Sequence, residues 1–102
     1  PMLKKEDGKL DYHHSAVALE RRVRAFTPWP GTFMIWQNEI IKILSAHAVP
    51  GHADPGAPLV HQGLPAIGCA EGVLVLDELQ EAGRKPKPGK IFLQGMPGWA
   101  SM

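Results

Sequence analysis

Arg24-Ala25-Phe26-Thr27-Pro28-Trp29-Pro30-Gly31 divides the 102-residue chain: the residues before it have the periodicity of one helix, and those after it read as short strands. Pro28 and Pro30 lack a backbone donor, fix φ and push the residue before them out of the helical region, so a helix arriving at Phe26 cannot continue. Gly31 then permits backbone geometry closed to other residues. Between the prolines, Trp29 has a large apolar surface best used by packing the corner onto a core. Arg24, beside the corner, is expected to satisfy carbonyls or an acid there. The octet reads as a structural joint built by Arg24, Pro28, Trp29, Pro30 and Gly31.

Working back from the joint, Ala16, Leu19, Val23 and Phe26 recur at helical spacing and share one face, whereas Arg21, Ala18 and Ala25 lie opposite and Arg22 and Arg24 on the flanks. Ser15 or Asp11 can supply the N-cap oxygen, and with Ser15 the helix runs from about Ala16 to Ala25. Such a one-sided helix acts as a lid or plug. Residues 1–11 form a charged, linker-like lead-in where Lys4, Lys5 and Lys9 alternate with acids, and Leu10 and Tyr12 can fasten its end. The opening Pro1 suggests a fragment.

Working forward, Thr32 to Trp36 alternates in strand fashion, Ile40 to Val49 is a longer β-branched run, and Gln37-Asn38-Glu39 between them suits a tight hairpin. Pro50 to Gly56 is a loop. Pro58 to Gln62 and Ala66 to Ala70 read as strands broken at Gly63 to Pro65, and the Glu71-Gly72 turn leads into a strong strand from Val73 to Gln80. Residues 81–90 read as a basic, proline-containing loop, Pro88 to Leu93 as one helical turn returning Phe92 and Leu93 to the core, and the tail as loose apart from Trp99. Five short strands with one helix predict a mainly β fold, a small antiparallel barrel, because two full sheets would need more strands.

The totals are those of one soluble domain, 44% hydrophobic and 21% charged, with a net charge of only +1. Polyanion binding would therefore need segregated charge. The single Cys69 sits in an apolar run and reads as a buried thiol in a reducing compartment. No apolar run approaches the ~20 residues that span a bilayer, and no membrane partner is expected. The five histidines show no metal spacing: His13 and His14 are adjacent and should diverge, while His47 and His52 read as ordinary polar positions. Asp77 and Glu78 are neighbours on opposite faces of a strand, and no nucleotide-binding or nucleophile motif occurs. No catalytic residue is assigned.

Positive charge is the informative feature. Lys4, Lys5 and Lys9 lie in the lead-in, Arg21 and Arg22 on the helix, and Arg84, Lys85, Lys87 and Lys90 place four cations in seven residues with no acid among them. A loop of this kind can follow a phosphate backbone, a contact that needs charge and reach. A merely solvated loop is the competing reading. If acids such as Glu6, Glu20 and Glu81 interleave with these cations in space, a structural role gains; if the cations converge on one face, a phosphate grip gains.

The joint, preceded by KKEDGKLDYHHSAVALERRV (residues 4–23) and followed by IIKILSA (40–46) and VLVLDELQEAGRKPKPGKIFLQG (73–95), resembles the C-terminal domain of the methionyl-tRNA formyltransferase family. Its most specific parts are the joint, the LDY-to-SA stretch, LQ-x-x-G-(K/R)-(K/R) at Leu79 to Lys85, and Phe92-Leu93 with Gly95. The resemblance implies an open Greek-key, OB-like barrel at residues 12–95, between a lead-in (1–11) from a catalytic domain and a tail (96–102). It implies a non-catalytic, monomeric part of a transferase that grips initiator methionyl-tRNA, with 10-formyl-tetrahydrofolate bound by the N-terminal catalytic domain of the same polypeptide and no cofactor here. Lys4 and Lys5 match the family's basic linker, and Arg84 and Lys85 its paired cations. Related domains also follow catalytic units that modify sugar nucleotides or process folate, where the domain would be structural and bind no tRNA.

Overall fold

The computed structural model describes residues 8–27 and 31–100, so Lys4, Lys5 and the Pro28-Trp29-Pro30 centre of the joint lie outside the described residues. Helix α1 (Ala16–Phe26) starts as its cap requires, with the Ser15 hydroxyl accepting from the Ala18 N–H at 3.1 Å. Its buried residues are Ala16, Leu19, Val23 and Phe26, the expected face. The helix runs one residue past the expected end, and Thr27 closes it by donating both its N–H and its hydroxyl to the Val23 carbonyl. The Gly31 N–H returns to the Phe26 carbonyl at 2.8 Å, and Gly31 takes a φ of 85°, the geometry it was expected to permit.

Among the described residues six antiparallel strands come next: β1 (Thr32–Trp36), β2 (Glu39–Val49), β3 (Pro58–His61), β4 (Leu64–Gly68), β5 (Val73–Glu81) and the two-residue β6 (Lys87–Pro88). They lie in the order β1-β2-β5-β4-β3, with β6 also paired to β5. Strands β3, β4 and β5 are successive hairpin partners, and β2 returns beside β5 through the Pro50–Ala57 connection, which is Greek-key order. Gln37 and Asn38 both take positive φ, 50° and 66°, so β1 and β2 join through the primed two-residue turn that suits twisted strands.

Several strand ends shift by one or two residues, β4 for example stopping at Gly68 and not Ala70, and two stretches differ more. The break placed at Gly63 to Pro65 is instead a turn at Gln62-Gly63, with φ of 51° and 79°, and Pro65 is inside β4. Pro65 is tolerated because it stands opposite Val60, before β4 begins to pair with β5 at Ala66. Residues 81–90 are not one loop: Lys87 and Pro88 pair with β5, and helix α2 (Gly89–Gln94) begins immediately after them.

The core lies between α1 and the inner face of the sheet. Ile41 and Ile43 point inward, and so do Ala46 and Ala48; on β5 the inward set is Leu74, Leu76 and then Leu79. Both strands therefore shift their inward parity at the irregular register around Ser45 and Glu78, and the sheet turns a corner there. His47 and Asp77 pair beside that corner, Nδ1 to Oδ2 at 2.7 Å. Among the described residues no ladder joins edge strands β1 and β3, and the barrel stays open. The tail, expected to be loose apart from Trp99, spans the gap through that residue: Trp99 is 4% exposed, its ring lies 4.6 Å from that of Trp36 in β1, and its Nε1 donates to the Leu59 carbonyl of β3 at 2.9 Å. Phe92 of α2 meets the same indole edge-on.

Candidate functional site

Titratable groups are scattered. Among the described residues no cluster of three or more His, Cys, Asp or Glu side chains could hold a metal ion. His13 and His14 do not diverge: both flank Asp11, at 3.1 and 3.9 Å, and all three are exposed. The His13 backbone N–H holds the Asp11 carboxyl below the usual carboxylate range, and the His13 ring, bonded to the same oxygen, adds to this. Cys69 is buried, and desolvation pushes its thiol up. Burial pushes the Tyr12 phenol up as well. These groups are held in their unreactive forms or paired; Cys69 borders a cleft with His52 and Asp54, but its thiol donates to the Ile67 carbonyl.

The cations are better organised. Strand register sets Phe33 opposite Lys42 and Lys42 opposite Gln80, and Lys9 of the lead-in bridges to Phe33 in parallel. Paired residues share a face, so Lys9, Phe33, Lys42 and Gln80 form one row across four adjacent chain segments, about 5 Å apart from one to the next. This is the outer face, because the alternate residues Thr32, Met34, Ile41 and Ile43 are buried. Ile35 and Ile40, paired with each other and half exposed, form the next row. The lead-in is fixed to β1 by the Leu10 N–H on the Phe33 carbonyl and by Gly8, where a Cβ would strike the Gly31 carbonyl.

At the β5 end of the row, the Gln80 side-chain amide donates to the Arg84 carbonyl at 2.9 Å, attaching the loop that carries Arg84 and Lys85. Both are exposed, as is Lys90 in the first turn of α2. Lys87 is placed differently: it pairs with Glu81 across β5 and β6 at 2.5 Å, and both side chains are mostly covered. The helix cations are not brought to this face. Because α1 packs on the inner side, exposed Arg21 and Arg22 look away from the outer row, and the Arg22 guanidinium lies 4.7 Å from the Phe26 ring centre. Arg24 does meet an acid, but on its own helix: Glu20, at 3.6 Å. Glu20 also accepts from the Ala48 N–H, tying α1 to β2.

Lys42 escaped the sequence reading because it stands alone in a β-branched run. Its signal was register: with the turn at Gln37-Asn38, counting back from it puts Lys42 on the outer face beside Phe33. No helix among the described residues is long and apolar enough to cross a membrane.

The comparisons agree with this architecture. A solved structure of HypX from Aquifex aeolicus in complex with tetrahydrofolic acid contains a similar fold, with a TM-score of 0.76 at 18% identity, covering 97% of this chain and 19% of that one. The methionyl-tRNA formyltransferase of Myxococcus xanthus is 42% identical over 97 residues, 93% of this chain and 31% of the relative, and that of Thermus thermophilus is 40% identical over 93% of this chain and 32% of the relative. The chain thus spans about a third of the length of these curated relatives. The family model described as formyl transferase, C-terminal domain, matches residues 2–97, and on that match the chain belongs to the formyl transferase C-terminal domain family.

Proposed function

We propose that this chain is the RNA-gripping accessory domain of a methionyl-tRNA formyltransferase. In this reading it holds initiator methionyl-tRNA by its phosphates and presents the acceptor end to a catalytic domain in the part of the relatives' length that this chain does not span, where formyl-tetrahydrofolate chemistry would take place. The observation that carries the reading is the outer row from Lys9 through Lys42 to Gln80, continued by Arg84 and Lys85. Lys42 lies on β2, Lys9 on the lead-in beside β1 and Arg84 and Lys85 on the loop after β5, and among the described residues none of these four forms an ion pair with a carboxylate. Lys4 and Lys5, outside the described residues, would add cations from the lead-in, and Lys90 would flank the row. Arg21 and Arg22 would meet RNA only if it wrapped around the domain.

Phosphate contacts release counterions, so affinity should fall steeply with salt, each contact adding about 0.9 to the log–log slope. Titrating the chain with initiator tRNA at two salt concentrations, beside a duplex RNA control, tests this. Replacing Arg84 and Lys85 together with alanine should weaken binding about tenfold at low salt and flatten the slope by about two, with folding unchanged. Unchanged affinity in that variant would remove the reading.

A second reading, a structural domain of another formyltransferase that touches no nucleic acid, draws support from two ion pairs. Glu20 meets Arg24 and Glu81 meets Lys87, so two of the acids expected to signal a structural role do interleave with cations. The Glu20–Arg24 pair lies on α1, away from the outer row, and Glu81 borders the cleft of Lys42 and Gln80 with its carboxylate taken by Lys87; among the described residues the row cations are left unpaired, and for that reason the RNA reading is preferred.

A further inference from the structure

We propose that Gln80 is a positioning residue, whose amide holds the Arg84–Lys85 loop against the outer face so that its cations line up with Lys42. The proposal rests on the phosphate-gripping reading and adds a part to it. Four cations within seven residues repel one another, and left to itself such a segment would spread over many conformations, each lost on binding. Four contacts counter this. The Gln80 Nε2 donates to the Arg84 carbonyl at 2.9 Å, and the Arg84 N–H donates to the Glu81 carbonyl at 3.0 Å. Gly83, at φ 76°, makes the turn between them. At the base of the loop Lys87 pairs with Leu79 through the backbone and with Glu81 through its ammonium.

The loop's charges are thereby divided. Lys87 is neutralised and fastens the hairpin, whereas Arg84 and Lys85 are left to solvent at the tip. Gln80 suits its role because it carries no charge: a carboxylate there would cancel Arg84, and an ammonium would repel it. Its place opposite Lys42 makes the loop a continuation of the sheet face and not a separate arm.

The test compares Gln80→Met, similar in length but without a donor, and Gln80→Thr, a good strand former too short to reach the carbonyl, with the unaltered chain. The probe is an RNA hairpin carrying a tRNA acceptor-stem duplex. Both variants should bind about threefold to tenfold more weakly, with the salt slope flatter by about one. The Arg84 amide should exchange with solvent faster while the β2 and β5 amides keep their protection. Arg84→Ala/Lys85→Ala is measured alongside. If that double variant loses affinity but both Gln80 variants keep the parental slope and exchange, the positioning role is wrong and the phosphate reading stands. If the double variant also binds like the parent, the phosphate reading fails and takes the proposal with it.

Discussion

The two helices seal one core and are specified in opposite ways. Helix α1 carries its instructions locally: a Ser15 cap, four buried positions at helical spacing, and a stop at Thr27. Helix α2 has six residues and no side-chain cap. It exists because Gly89 lets the backbone approach β5, where a Cβ would strike the Leu76 carbonyl oxygen, and because Phe92 and Trp99 interlock. A short helix without a nucleating signal cannot stand alone in water, so tertiary contacts must supply what sequence does not. Local signals thus specify the N-terminal seal and distant ones the C-terminal seal.

This contrast can be broken at its distant end first. Trp99→Ala should cost about 3–5 kcal/mol, because a buried indole is lost together with its bond to Leu59, and urea denaturation would measure it. A loss below about 1 kcal/mol would mean that α2 holds its place without the indole. At the local end, Ser15→Ala should cost about 1 kcal/mol and Ser15→Asp little or nothing, since the cap needs only an oxygen. A Ser15→Ala loss as large as that of Trp99→Ala would erase the distinction between the helices.

The smallest effect concerns the approach to α1. Asp11 is exposed, and its folded-state pKa lies below the unfolded value. Its stabilisation is therefore complete above the unfolded pKa and is lost as pH falls through the lowered one. Asp11→Asn should leave thermal stability near neutral pH almost unchanged and remove a small part of the decline on acidification. Melting curves of parent and variant from neutral to acid pH would show this, and an unchanged acid limb would assign the decline to other carboxylates.

The same division explains what was legible in the sequence. Helix α1, the β1–β2 hairpin and the strong β5 strand follow from periodicity and turn chemistry within short windows. Pro65 misled because a proline's cost depends on whether a neighbouring ladder needs its N–H, which local sequence does not state. Trp99 was noticed but its partners were not, because Trp36 and Leu59 lie 63 and 40 residues earlier in the chain. Of the candidate site, the exposed loop tip was legible as a charge cluster. The assignment of Lys87 to Glu81 and the inclusion of Lys42 required the register of β5 with β6 and with β2.

Trp99 also orders events in time. It comes after all six described strands, and its indole touches both edges of the open barrel. A chain emerging from the ribosome can assemble α1, the hairpins and the β2–β5 ladder while the gap between β1 and β3 still exposes apolar side chains. A turn synthesised later than the whole sheet closes that gap, so a nascent chain stalled before residue 99 would present an unsealed barrel to chaperones and proteases.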